Sequence, residues 1–439
     1  MYKSLIRSRL DYRAPIYNLA NKSSLLLLDT IQTSSLRLAL GAFRTSPKLS
    51  LCAEAAEPPL SYRRLILTSN FLSTVSQFPQ LPIYNPIFLT ETTPPSIPNN
   101  KHIRHHFELA LQKSFKAHPL QPIYTLSPPW TFTPPSIRLD LTQLSAPKNI
   151  IYLQHIRSLI QEYPHHTLCL SDGSKSKTET AYAYSINGNI ISHRIHNIAS
   201  IHTAELMAIF ACISQISQLP PNNNFLLLTD SLTSLHSLTD PYSTNPLVQR
   251  IHLTLLTLNS INSNITFVWI PGHIGLPEHD AVDRAAKQAL LFSQLTDNTP
   301  APVSDYKNHY RSLILQSWYT FWKNQQYNKL LPIKQTPTPW MSSLRDSRRE
   351  EVILTRLRIG HTRITHSHLL NPESPTPSSC PHCHQQNLTA AHIFSCPQLQ
   401  SLRTSLKIPS SIARALRNNS HTVSLALQYL RLSHFYSSI

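Results

Sequence analysis

Residues 167–195 read TLCLSDGSKSKTETAYAYSINGNIISHRI, and this stretch decides the fold. Thr167–Ser171 is a short apolar run, long enough for a strand and too short for a helix. Ala181–Ile186 and Asn189–Ile195 are two β-prone segments joined by Asn187–Gly188. An Asn-Gly pair tolerates the positive φ angles of a two-residue turn, so the pair of segments predicts a hairpin. Three successive strands therefore open this part of the chain.

On the C-terminal side of these strands the hydrophobic period changes. His202–Leu219 has helical spacing, Phe225–Thr229 is an apolar strand, and Ser231–Thr239 and Pro246–Ile261 are helices. Ile265–Ile270 is a further strand and Glu278–Phe292 a helix. The order β-β-β-α-β-α-α-β-α predicts an α/β fold, a mixed five-stranded sheet with helices on its faces. Four of the six Gly lie in this region, at 173, 188, 272 and 275, where tight turns or close backbone approach are needed.

The flanks read differently. Residues 1–80 are helical, with Leu25, Leu28, Ile31, Leu36 and Leu40 at helix-like spacing and Gly41 as a stop. Residues 81–150 hold Pro82, Pro86, Pro94–Pro95, Pro128–Pro129 and Pro134–Pro135 and predict a linker with little regular structure. Residues 300–370 predict a helical connector, with an aromatic helix at Tyr306–Tyr327, a break at Pro332–Pro339 and a basic helix at Arg345–Arg363. Residues 371–439 hold a Cys/His cluster and a helical tail.

Lys and Arg number 39 against 22 Asp and Glu, a formal net charge of +17. Such a balance suits a polyanionic partner, nucleic acid above all. It also makes the few acids informative. No apolar run approaches the roughly 20 residues of a membrane span, and no apolar core follows Lys3, Arg7 and Arg9 as it would in a signal peptide. The six Cys do not form a spread-out disulfide framework. A soluble intracellular protein is expected, in nucleus or cytoplasm, with no membrane partner and no small-molecule cofactor.

Four acids fall at telling places. Asp172 follows the first strand and Asp230 another, so adjacent strands would bring both to one sheet edge. Glu205 lies in the first turn of a helix and Asp283 on the last helix. Singly, an Asp at such a position forms a turn or caps a helix, as Asp230 would cap the helix after Ser231. As a set, four carboxylates suit two Mg²⁺ ions about 4 Å apart, which activate water and stabilise the leaving oxygen of a phosphodiester. His273, in Trp269-Ile270-Pro271-Gly272-His273, is expected on a mobile loop where it could shuttle a proton.

Together, Ser171-Asp172-Gly173-Ser174, Ala204-Glu205-Leu206, Thr229-Asp230-Ser231, and the Trp269–His273 loop followed by Asp283 resemble type 1 ribonuclease H over about 130 residues (164–294). The resemblance implies a Mg²⁺-dependent endonuclease, with Mn²⁺ as an alternative ion, that hydrolyses the RNA strand of RNA–DNA hybrids. It implies Asp172, Glu205, Asp230 and Asp283 as metal ligands and His273 as the catalytic loop histidine. One departure stands out: where the family has Gly-Asn-Glu, this chain has Glu278-His279-Asp280, so His279 occupies the place of an Asn that contacts substrate.

Cys380, Cys383, His392 and Cys396 give C-x₂-C-x₈-H-x₃-C, a spacing suited to tetrahedral Zn²⁺. His382 and His384 are rival ligands with poorer spacing. The run Leu354–Thr362 into this cluster, with Tyr2–Tyr17, Leu36–Pro47 and Glu57–Leu60, resembles the C-terminal part of a non-LTR retrotransposon (LINE-type) reverse-transcriptase polyprotein, whose zinc knuckle is structural or holds nucleic acid. No Tyr-x-Asp-Asp motif is present, so no polymerase activity is expected. Two other readings stay open: a catalytically decayed remnant that binds nucleic acid, and a DNA-directed nuclease of related fold.

Overall fold

Parallel pairing of two strands sets the geometry of the predicted site. In the computed structural model, which describes residues 2–88, 103–123, 132–143, 149–371 and 376–439, His166–Asn224 through Ser171–Thr229 are in register. The next residues on the two strands are Asp172 and Asp230. We label the strands β1 (Ser136–Arg138), β2 (His166–Lys175), β3 (Thr180–Ile186), β4 (Asn189–Ile195), β5 (Asn224–Thr229) and β6 (Asn264–Trp269). The helices around them are α1 (Asn149–Gln161), α2 (Ile201–Ile216), α3 (Leu232–Leu238), α4 (Pro246–Ser260) and α5 (Pro277–Ala289).

The sheet order is β1-β6-β5-β2-β3-β4. β1, β6, β5 and β2 run parallel, and β2, β3 and β4 are antiparallel. The hairpin turns at Asn187 (φ 49°) and Gly188 (φ 82°), the positive-φ pair its sequence predicts. The element order from β2 to α5 is the expected one.

Three expectations need correction. The sheet has six strands, not five. The extra strand comes from the Pro-rich stretch, which also holds a helix at Ile103–Leu111; Pro94–Pro95 and Pro128–Pro129 lie outside the described residues. β2 does not end at Ser171 but continues to Lys175, because β3 pairs with it as far as Lys175–Thr180. Asp172 therefore sits within a strand, paired with Ala183 of β3.

Side chains alternate between the faces of a strand, which fixes what each helix covers. Cys169 of β2 meets Cys212 of α2, and both are buried. Leu170 instead joins Leu226, Leu228 and Val268, packed with Val282 and Ala286 of α5 and Ile156 and Leu159 of α1. Hence α2 covers one face, and α5 and α1 the other. Leu206, Ile209 and Ile213 of α2 are fully buried. Each such side chain contributes about 1.5–3 kcal/mol relative to exposure.

The start of α2 is pinned. The Ser200 hydroxyl accepts from the Thr203 amide. The buried Asp305 carboxylate accepts from the Thr203 hydroxyl (2.6 Å) and the Ser200 amide (3.1 Å). These bonds satisfy amides that a helix start leaves open, and they fix the turn that carries Glu205.

The chain divides into two compact units. Leu72–Thr93 and Phe115–His309 make the one containing this sheet; Met1–Phe71, Pro94–Ser114 and Tyr310–Ile439 make the other. The second unit is helical among its described residues. Leu51, Trp318, Trp322, Ile353, Leu357, Phe394 and Tyr429 build its core. Its helix Lys22–Leu40 ends, as expected, at Gly41 with φ 65°. Glu54, Lys334 and Arg358 are buried together, with Glu54 3.9 Å from Lys334 and 3.6 Å from Arg358.

Candidate active site and metal centres

The sheet brings three of the expected acids together from three elements. Asp172 comes from β2, Asp230 from the end of β5, and Glu205 from α2 on the opposite face. Glu205 reaches the strand beside Gly173. A Cβ on that residue would stand 2.8 Å from the Glu205 amide nitrogen and 3.0 Å from its carboxyl carbon. Gly272 plays the same part for Asp230: a Cβ there would meet Asp230 Oδ2 at 2.7 Å. Two glycines thus let backbone and carboxylates approach more closely than any side chain would allow.

Asp230 is not spent on capping. No side chain caps α3, and what Asp230 contributes to its neighbours is its carbonyl, which accepts from the Leu232 amide and the Trp269 indole at 3.0 Å. Asp172 and Glu205 are buried, and Asp172 Oδ2 and Glu205 Oε2 have no hydrogen-bond partner. Burial pushes the Asp172 carboxyl up to about 8, with the charges of Asp230 and Asp283 adding to the effect and Lys287 opposing it. Burial likewise raises Glu205 well above the usual carboxylate range; Asp172 and Asp230 add to it and a backbone hydrogen bond from Gly173 works against it. Buried like charges with open oxygens call for cations. The donor set therefore fits divalent metal ions, and hard oxygen ligands fit Mg²⁺ or Mn²⁺.

Asp283 sits on α5, half-buried, where Lys287 one turn later reaches its Oδ2 at 2.7 Å. His273 Nδ1 is 3.9 Å from the same oxygen, and its side chain is 77% exposed. The loop that carries His273 is anchored: Ile270, Ile274 and Leu276 are buried in the α5-side core. His273 itself has φ 55° and turns outward.

One residue of the cluster was not among the expected ligands. Ligand atoms of Asp172, Asp230 and His279 all lie within 4.8 Å of one another. His279 is four residues before Asp283 on α5, so both lie on one helix face, a spacing visible in the sequence. Lys287 was not singled out either; only the Asp283–Lys287 spacing could have signalled its contact.

In the helical unit, Cys380, Cys383, His392 and Cys396 converge, with all four ligand atoms within 4.8 Å of one another. Cys380 Sγ lies 3.8 Å from Cys396 Sγ, and Cys383 Sγ lies 3.4 Å from His392 Nε2. A Zn²⁺ tetrahedron with bonds of about 2.3 Å to S and 2.0–2.1 Å to N has edges of about 3.8 and 3.5 Å. The Cys380 amide donates to the Gln386 carbonyl and the His384 amide to the Cys380 carbonyl, a knuckle turn. Thr389 caps the short helix Ala390–Ser395 that carries His392. Backbone hydrogen bonds at Gln385 and Gln386 pull the Cys383 thiol down to about 6, favouring the thiolate that binds metal. His382 is engaged elsewhere, 3.2 Å from the Ser433 carbonyl.

Residues 164–291 match the family model for RNase H. The match supports an RNase H domain in this chain, and with it a hydrolase of the RNA of RNA–DNA hybrids in general. No curated protein matches the chain. No described helix is long and apolar enough to cross a membrane.

Proposed function

We propose that this chain is a metal-dependent endonuclease that hydrolyses the RNA strand of RNA–DNA hybrids, with Asp172, Glu205, Asp230 and Asp283 as its metal ligands. The observation that carries the reading is the pair of buried, unpartnered carboxylate oxygens on Asp172 and Glu205, beside Asp230, inside the segment that matches RNase H. Two divalent ions bound there supply an activated water and stabilise the leaving oxygen. Asp172, within β2, and Asp230, just past the end of β5, bring their carboxylates close together. Glu205 brings a third from the other face, and Lys287 holds Asp283 in place. His273 exchanges a proton with solvent in this reading, supported by its exposure and its 3.9 Å approach to Asp283.

The Cys/His cluster, in this reading, holds a Zn²⁺ that ties Cys380–Cys396 together. The chain derives from a retrotransposon polyprotein, and its hybrid is the first-strand product of reverse transcription. The support is the resemblance of the flanking segments and the cluster's near-tetrahedral edges.

The test is cleavage of a labelled hybrid by the full chain. We expect RNA-strand cuts only with Mg²⁺ or Mn²⁺, and a loss of at least about 100-fold for Asp230→Asn, as removal of a charge-stabilising group typically causes. Equal cutting by Asp230→Asn refutes the assignment. Hybrid binding with no cutting in any divalent ion would favour a nucleic-acid-binding remnant instead.

A further inference from the structure

We propose that His279 is itself a metal ligand: its Nε2 completes, with Asp172 and Asp230, a mixed nitrogen–oxygen site that favours a first-row transition ion over Mg²⁺. The inference rests on the carboxylate site proposed above and specifies which ion it takes.

The geometry leaves His279 little else to do. It occupies the first turn of α5 and is 4% exposed. Its Nε2 is buried and has no hydrogen-bond partner. A buried polar nitrogen without a partner is unfavourable, and native interiors rarely keep one. The ring is not part of an apolar packing face, because ligand atoms of Asp172 and Asp230 lie within 4.8 Å of its own. Asp172 Oδ2 is also unpartnered, and ligand atoms of Asp172 and His279 lie within 4.8 Å of each other, so open donors from different elements border one small space. A single cation satisfies both. Mg²⁺ prefers an octahedron of oxygens and retains water, whereas imidazole suits first-row transition ions. The structural alternative, a core histidine, would show a carbonyl or hydroxyl facing Nε2.

Mn²⁺ is the probe, because it accepts carboxylate and imidazole together and has little affinity for the thiolates of the Cys/His cluster. The full chain, carrying one equivalent of Zn²⁺ for the Cys/His cluster, is titrated with Mn²⁺ and studied by pulsed electron paramagnetic resonance. The expected result is a ¹⁴N modulation from a directly bound imidazole. It should vanish in His279→Asn and His279→Gln and persist in His273→Ala. Mn²⁺ affinity should fall about tenfold or more in both His279 variants, while Mg²⁺ affinity changes less. If Mn²⁺ binds with no ¹⁴N modulation, or the modulation survives in both His279 variants, the proposal is overturned while the carboxylate site stands. If Asp230→Asn binds Mn²⁺ as tightly as the unmodified chain, both readings fall.

Discussion

At the scale of single residues, what matters most is how Asp172 is held. It lies within β2, paired through its backbone with Ala183, and its carboxyl faces Asp230 in a buried setting. Burial and the neighbouring acids push that carboxyl up to about 8. Without metal, the folded protein holds this proton more tightly than the unfolded chain, so the contribution to stability is full at low pH and is lost as pH rises through 8. A metal ion requires the carboxylate, so binding at pH 7 must expel the proton. Apparent Mg²⁺ affinity should then fall by about tenfold per pH unit below 8 for each proton expelled. Titration calorimetry at pH 7 in two buffers of different ionisation enthalpy should report release of about one proton or more per chain. A binding heat independent of buffer would rule this out. The sequence marked the four acids through their places after strands and on helices. It did not mark the role of His279, because a histidine replacing an asparagine says nothing until the fold shows which atoms surround its ring.

At the scale of elements, the hairpin and the cysteine knuckle were the most legible, since both are local. Asn187–Gly188 needs only its own backbone to turn, and C-x₂-C needs only one loop. What escaped were features made by pairing at a distance. Ser136–Arg138 has no apolar alternation of its own; it is a strand because Ser136–Thr266 to Arg138–Val268 pair in parallel. The polar end of β2, Gly173–Lys175, is a strand because β3 holds it. The Cys/His cluster carries its own prediction. Its four ligands come from a turn and a six-residue helix, too short to be stable by itself, so a bound ion would add to the core packing of Ile393 and Phe394 in organising them. Metal analysis of the purified chain should find about one zinc per chain. A strong chelator, or Cys396→Ala, should remove it and lower the melting temperature by on the order of 5–10 °C. Absence of zinc together with unchanged melting in chelator would defeat the assignment.

At the scale of the whole molecule, the charge is unevenly placed. Residues 164–291, the RNase H match, hold six Lys and Arg against eight Asp and Glu, a net of −2, so the remaining residues carry +19. Several of the six are already engaged. Lys287 pairs with Asp283 and Arg194 with Glu179, and Lys175 donates to the Asn197 and Ala199 carbonyls. That leaves Lys177, with Arg250, which donates to the Gln121 and Pro246 carbonyls, and Arg284, which donates to the Asp280 carbonyl, so at most about three cations can meet phosphates from within the domain. Each phosphate neutralised adds roughly 0.9 to the slope of log affinity against log salt for duplex DNA. The domain alone therefore predicts a slope no steeper than about −3. If the basic flanks grip the hybrid, as +19 suggests, the slope should be about −5 or steeper, with affinity falling about 10³-fold between 50 and 200 mM salt. Fluorescence anisotropy of a labelled hybrid across that range, with the full chain in a non-cleaving buffer containing Ca²⁺, measures it. A slope shallower than about −3 would place the whole grip inside the ribonuclease domain and leave the flanking charge to another partner.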